Sequence, residues 1–263
     1  MTANRKPDVT VVIPARYGSS RFPGKPLAML GAKPVIQYVY EHAAACRAVA
    51  KVLVATDDVR IQQAVEQFGG HAVLIPGDFR SGTDRVAGVA RSQPGRYFLN
   101  LQGDEIPLDP DLLTDLIEPF VDSGAQMGTL KRAITSKEEL HNPAAVKVVT
   151  DQQGHALYFS RAPIPLVRDD SSREAVEGLH YLHLGVYIYT RETLLTLTAL
   201  PTGRLEEAEK LEQLRALDHG IAIRVWETKH DSLRIDTPAD AAAVSEILRR
   251  FELGKQLQTS SRS

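Results

Sequence analysis

A single cysteine, Cys46, stands among 263 residues, and that scarcity excludes a disulfide framework within the chain. Lying in the small, apolar run 43–50, it reads as a buried helical thiol in a reducing compartment rather than a nucleophile. Charge of one sign is lacking too. The 31 Lys and Arg meet 33 Asp and Glu, a formal net charge of −2. The basic excess that announces a nucleic-acid binder is missing, so any anion site has to be local. No apolar run approaches the ~20 residues needed to span a bilayer. Residues 1–8 lack the apolar centre of a signal peptide. The expectation is a cytoplasmic protein with neither membrane nor nucleic-acid partners. Two nucleotide signatures are absent as well. The dinucleotide fingerprint G-x-G-x-x-G does not occur, which removes the main support for an NAD-type reading. A Walker loop is missing because five residues, not four, separate Gly18 from Gly24-Lys25, and Pro26 replaces the hydroxyl that would hold magnesium.

What is present at that point is a strand, Val11-Val12-Ile13, running into a loop with three cations, Arg16, Arg21 and Lys25, and two glycines. After the first strand of an α/β sheet, such a loop can hold a polyphosphate. Glycine lets the backbone approach, N–H groups donate to anions, and Arg and Lys neutralise charge. An ordinary basic loop is the alternative. If the loop does hold phosphates, its metal ligands lie elsewhere.

The chain is 43% hydrophobic, enough for one large domain or two small ones. Strand-like and helical runs alternate through the first half: strands at 9–13, 51–56, 72–75 and 97–101, helices at 34–46, 58–68 and from Ser81 to about Arg91. That alternation predicts an α/β fold with a mostly parallel sheet and helices on both faces. From about 130 to 200 strand and hairpin signals replace it, with runs at 146–150 and 156–160 flanking Asp151-Gln152-Gln153-Gly154, and a strand at 182–189. This reads as an inserted β-rich region. A helix is expected at 205–219, a strand at 221–227, and a closing helix from Thr237-Pro238 to about Leu253. The domain is expected to span 8–253, with 254–263 a disordered polar tail.

Ligands in such sheets sit at the carboxyl ends of strands, where the basic loop and Gln102-Gly103-Asp104-Glu105 both fall. Asp104 reads as a magnesium ligand, with Gly103 clearing space beside it, or as a turn residue before Pro107. Asp236 reads as a second carboxylate or as an extra cap, since Thr237 already serves as cap. Arg161 can grip a carboxylate with its fork or face solvent at a strand end. His183 and Tyr187 share a face with Gly185 and Tyr189 and can donate to sugar hydroxyls, or belong to a half-buried strand with a satisfied histidine. Glu212 and Gln213 can pair with hydroxyls or serve solvation. Asp57, Asp58, Thr83 and Asp84 are assigned mainly to helix caps, while Arg85 is free to serve the cleft.

Taken in order, IPARYGSSRFPGKPL, VLVATDD, SGTDR, LQGDE, NPAAVKVV, ALYFSRAPIP, HLGVYIY, LEQLRAL and IDTPAD closely resemble the 3-deoxy-manno-octulosonate cytidylyltransferases, or CMP-Kdo synthetases, from about Val9 to Val244. The resemblance implies a single Rossmann-like, GT-A-like nucleotidyltransferase domain with an inserted β-rich part. It implies a homodimer that uses Mg2+ and CTP to activate the sugar acid Kdo for lipopolysaccharide synthesis. It gives Ala15, Arg16, Lys25, Arg85 and Gln102 to the nucleotide and Asp104 and Asp236 to magnesium. Arg16, Lys25, Asp104 and Asp236 would carry catalysis. Arg161, His183, Tyr187, Glu212 and Gln213 would hold the sugar acid, with Arg161 on its carboxylate. The chain departs from the family pattern at Ile106, Leu182, Arg204 and Ser232-Leu233-Arg234, which puts the acceptor in question more than the reaction. An 8-amino-Kdo or another sugar acid such as sialic acid is the alternative acceptor. A catalytically silent nucleotide-binding protein is the reading from another class, and the retained Lys25, Asp104 and Asp236 argue against it.

Overall fold

Strand Val9–Ala15 is buried at every position but Pro14. Its side chains alternate between two cores: Val9, Val11, Ile13 and Ala15 enter one, Val12 the other. A strand hydrophobic on both faces needs helices above and below. Helix Val35–Ala45 lies in the first core, and helix Gly82–Ser92 supplies Val86, Ala87, Val89 and Ala90 to the second. The computed structural model describes residues 7–18, 22–168 and 178–260. Ser19, Ser20 and Arg21 of the basic loop lie outside the described residues.

The described strands build a nine-stranded sheet. Val9–Ala15 sits between Lys51–Thr56 and Tyr97–Asn100, both parallel to it, and Ala72–Leu74 continues the parallel part beyond Lys51–Thr56. The other half turns antiparallel through strand Tyr181–Thr190. One edge of that strand pairs along most of its length with Met127–Ala133, whose far side takes Arg224–Glu227 in parallel. The opposite edge meets Tyr97–Asn100 at residues 187–190 and Lys147 at Leu182. Gly185 falls between these two neighbours with no strand beside it on that edge. Strands Lys147–Thr150 and Ala156–Ser160 form the expected hairpin at the end of the sheet. The β-rich region therefore extends the central sheet.

Several boundaries differ from expectation for identifiable reasons. The helix expected over 205–219 is two pieces, Arg204–Glu209 and Leu214–Asp218, broken where Lys210 adopts φ 54°. Arg161 accounts for the break: its Nε donates to Glu209 O at 2.7 Å, and the Glu209 carboxylate accepts from Ser160 Oγ and Arg161 N. The strand expected over 221–227 begins at Arg224 rather than 221. The closing helix does not stop near Leu253 but spans Pro238–Ser260, so the segment read as a disordered tail is helical through Ser260. A lone glycine, Gly254, costs about 1 kcal/mol in a helix, and the good formers around it carry the helix onward. Asp57 and Thr83 are not caps. Asp58 caps helix Val59–Gln67 and Ser81 caps Gly82–Ser92, whereas Asp57 pairs with Arg85 and the Thr83 hydroxyl donates to Glu212.

Candidate active site

A two-stranded ribbon brings together carboxylates that are far apart in sequence. Glu105–Pro107 pairs antiparallel with Ser232–Arg234, and the Ile235 amide donates to Asp104 O at 3.0 Å. Asp104 and Asp236 thereby flank one point beside the end of the first strand. Gly103 makes the approach feasible, since a Cβ there would meet Pro14 O at 2.8 Å. The space that Gly103 clears is thus for the first strand's backbone. Asp236 is spared from capping: Asp240 accepts from the amides of Asp236 and Thr237, while Thr237 Oγ1 accepts from the Asp240 amide. Lys25 Nζ reaches into the same point, 2.6 Å from Asp104 Oδ2, 3.8 Å from Asp236 Oδ1 and 2.8 Å from Ile235 O.

Two cavities adjoin there. The first, about 240 Å³, is lined by Ala15, Arg16, Lys25, Arg85, Gln102, Asp104 and Asp236 among others. Every residue expected to hold the nucleotide lies on its wall. Arg85 donates from Nη2 to Asp57 Oδ2 at 2.9 Å, and its buried Nη1 has no hydrogen-bond partner among the described residues. A buried guanidinium nitrogen without an acceptor is costly unless a ligand supplies one. The second cavity, about 640 Å³, carries Arg161, His183, Tyr187, Glu212 and Gln213. Gln102, Asp104, Arg234 and Asp236 line both, so the two carboxylates occupy the shared wall.

In the second cavity the residues are more constrained than their types announce. Arg161 does not face solvent freely; Nε, Nη1 and Nη2 donate to the carbonyls of Glu209, Pro143 and Lys210, which leaves two of its five N–H groups. Glu212 accepts from Ser81 Oγ at 2.9 Å and Thr83 Oγ1 at 2.8 Å, and burial raises its pKa. The buried Tyr187 hydroxyl has no hydrogen-bond partner among the described residues and is available to a ligand. His183 is buried and its pKa is pushed down to about 3 by desolvation. Thr129 Oγ1 lies 2.7 Å from Val186 O and 3.0 Å from His183 Nε2. With its one proton on Val186 O, the hydroxyl accepts from Nε2–H, and the remaining ring nitrogen is an acceptor rather than the donor expected for a sugar hydroxyl. The His183 ring is accordingly expected to show no titration between pH 5 and 8 in NMR, and a midpoint near 6.5 would overturn that environment. Because its folded pKa lies below the unfolded 6.5, the stability linked to His183 is fully present above pH 6.5 and is lost as pH falls toward 3.

Residue types alone did not single out Glu105, Arg132, Glu139 or Arg234, all on the second cavity's wall. Arg132 holds Glu139 at 2.5 Å and Asp231 at 3.2 Å, and Arg234 Nε lies 3.2 Å from Asp236 Oδ2. For Glu105 a signal existed, its place beside Asp104 in LQGDE, and Arg234 stands among the departures from the family pattern; for Arg132 and Glu139 no signal existed. Of the departures from the family pattern, Ile106 is fully buried in the core, Leu182 lines the second cavity, and Arg204 opens a short helix away from both cavities. A separate acidic group, Asp109, Asp111 and His230, brings ligand atoms within 4.8 Å of one another but lines neither cavity.

Comparison with known proteins identifies the family. The family described as cytidylyltransferase matches residues 10–223. The curated 3-deoxy-manno-octulosonate cytidylyltransferase of Trichlorobacter lovleyi is 47% identical over 249 residues, covering 92% of this chain and 99% of that protein. The chain belongs to the 3-deoxy-manno-octulosonate cytidylyltransferase family. It is a nucleotidyltransferase enzyme. Within the family's reach, the 8-amino-3,8-dideoxy-manno-octulosonate cytidylyltransferase of Shewanella loihica is 49% identical over 239 residues, covering 89% of this chain and 95% of that protein. A solved CMP:2-keto-3-deoxy-manno-octonic acid synthetase complexed with CTP superposes with a TM-score of 0.86 at 42% identity, over 92% of this chain and 98% of that one. The inositol-1-phosphate CTP transferase from T. maritima shares the fold alone, with a TM-score of 0.64 at 13% identity over 94% of this chain and 97% of that one. No helix of the described residues is long and apolar enough to cross a membrane.

Proposed function

We propose that the enzyme transfers the cytidylyl group of CTP to the anomeric hydroxyl of Kdo, releasing pyrophosphate. The observation that carries this reading is the shared wall: Asp104 and Asp236 stand between a cation-lined cavity and a second, polar one. An in-line displacement at the α-phosphorus sets the attacking hydroxyl opposite the leaving pyrophosphate, and a wall shared by both cavities is where the two substrates can meet. Arg16 and Lys25 balance the triphosphate from the first cavity. Arg85 offers its unpartnered Nη1, and Gln102 lines both cavities. From the other side, Arg161 turns its two remaining N–H groups to the sugar acid's carboxylate, and Tyr187, His183, Glu212 and Gln213 meet its hydroxyls. Holding both substrates in register supplies most of the acceleration.

Asp104 and Asp236 suit Mg2+, which takes one or two carboxylates and completes its shell with water and phosphate oxygens. Their geometry fits, because one cation, the Lys25 ammonium, already lies 2.6 and 3.8 Å from the two carboxylates. Bound there, magnesium offsets the charge that grows on the phosphate oxygens. The reading extends to a cytoplasmic homodimer. The buried free thiol of Cys46 suits a reducing compartment. Exposed Leu157 on the sheet's terminal strand, with Leu166 nearby in sequence, offers an apolar face to a second copy.

The acceptor has a second reading, 8-amino-Kdo, favoured by the Shewanella loihica relative. Pyrophosphate release from CTP and Mg2+ with Kdo, 8-amino-Kdo or sialic acid separates the cases. Kdo is expected to support turnover. Turnover with 8-amino-Kdo alone would move the acceptor, and release with none of the three would overturn the reaction.

A further inference from the structure

Glu105 has no part in the roles above, yet its side chain is built into the second cavity. The residue is 8% exposed and lines that cavity but not the first. One carboxyl oxygen accepts from the Ser232 hydroxyl at 2.7 Å. The other, Oε2, has no hydrogen bond among the described residues, and Glu105 makes no ion pair there. Burying a carboxyl group is expensive unless its oxygens are matched, and one hydroxyl matches only half of it. Oε2 looks onto Gly185, where a Cβ would come within 3.1 Å of it. Gly185 lies within the stretch of strand Tyr181–Thr190, between Leu182 and Tyr187, that has no paired strand on that edge among the described residues, so the opening in the sheet and the free oxygen adjoin.

We propose that Glu105 is an acceptor-binding residue: Oε2 takes a hydrogen bond from a hydroxyl of the sugar acid seated at the Gly185 opening, while Ser232 fixes the carboxyl group's orientation. This rests on the reading of the second cavity as the sugar-acid site. Confinement to that cavity separates Glu105 from Asp104, its neighbour in sequence, which faces both. Glu105 is thus placed to select the acceptor and stands clear of the nucleotide's phosphates.

The test splits the two Michaelis constants. Loss of a hydrogen bond to a carboxyl oxygen predicts that Glu105→Ala raises the acceptor KM about 10–100-fold and leaves the CTP KM within about twofold. Glu105→Gln, which keeps one acceptor oxygen, should recover part of that loss. Ser232→Ala removes the orienting bond but not Oε2 and should have a smaller effect than Glu105→Ala. An unchanged acceptor KM in Glu105→Ala, a parallel rise in both constants, or a Ser232→Ala effect as large as that of Glu105→Ala would overturn the proposal. Calorimetry of Kdo binding to wild type and Glu105→Ala reads the contact without turnover. Weakened binding in a protein that releases no pyrophosphate would overturn the reaction and keep Glu105; equal binding would overturn Glu105 whatever the reaction.

Discussion

Replacing Asp104 by Asn is expected to lower kcat by at least about 10³-fold while the protein stays folded. The substitution keeps size and shape and removes one negative charge from the wall between the cavities. What holds the ribbon is backbone: Ile235 N donates to Asp104 O, and Glu105–Pro107 pairs with Ser232–Arg234. Neither contact needs the carboxylate. The ion pair with Lys25 is partly exposed, 25% on the Asp104 side, so its loss costs about 1 kcal/mol, a few degrees of thermal midpoint for a domain this size. Lys25 keeps Ile235 O and the charge of Asp236. With magnesium held between the carboxylate and the phosphate oxygens, losing the carboxylate also weakens the hold on CTP, so the CTP KM should rise, but by less than kcat falls. A fall in kcat that exceeds the rise in the CTP KM is the signature of a group that acts as charge builds in the transition state. Asp236→Asn should behave alike, and the double variant should lose little more than either single one, because the two act on one centre. Pyrophosphate release and thermal unfolding measured on the same samples decide it. A kcat within tenfold of wild type would remove Asp104 from the chemistry.

Much of the fold was legible because it rests on local pattern. The both-faced apolar run of Val9–Ala15, the Asp58 and Ser81 caps and the Asp151–Gly154 hairpin turn each carry their physics within a few residues. The site was legible where a strand end met a conspicuous cluster, as at Lys25 and Asp104. Legibility failed where a distant partner overrides the local pattern. The run from 205 to 219 is helical in composition, but Arg161 and Glu209, 48 residues apart, tie its middle into a break. Asp57 resembles its capping neighbour Asp58, and only the arrival of Arg85 gives it another use. Glu105 stands one residue beyond Asp104, and whether it faces phosphate or acceptor depends on which side of a two-residue alternation the ribbon turns toward Gly185.

The largest expected effect on stability lies at a residue that composition presents as an ordinary surface cation. Lys147 has no exposed surface, and its Nζ donates to Asn142 O at 2.9 Å, Ala145 O at 2.5 Å and Arg161 O at 2.7 Å. Three protons meet three acceptors, so the ammonium is fully used. Burial pushes its pKa down, and the neighbouring Arg161 guanidinium adds to the same direction. Lys147→Met relieves that desolvation but strands two carbonyls, Ala145 O and Arg161 O, while Asn142 O keeps the Ala145 amide; at about 1 kcal/mol or more each, the net loss is about 2 kcal/mol. The strain falls on function unequally. Asn142, Ala145 and Arg161 all line the second cavity and none lines the first. Lys147→Met is therefore expected to lower the urea midpoint with an unchanged slope and to raise the acceptor KM well above any change in the CTP KM. Arg cannot substitute, because a planar fork does not reach three carbonyls arranged around an ammonium. A stability loss under about 1 kcal/mol would mean that Ala145 O and Arg161 O find other donors and that Lys147 is not what ties the hairpin to the acceptor side of the cleft.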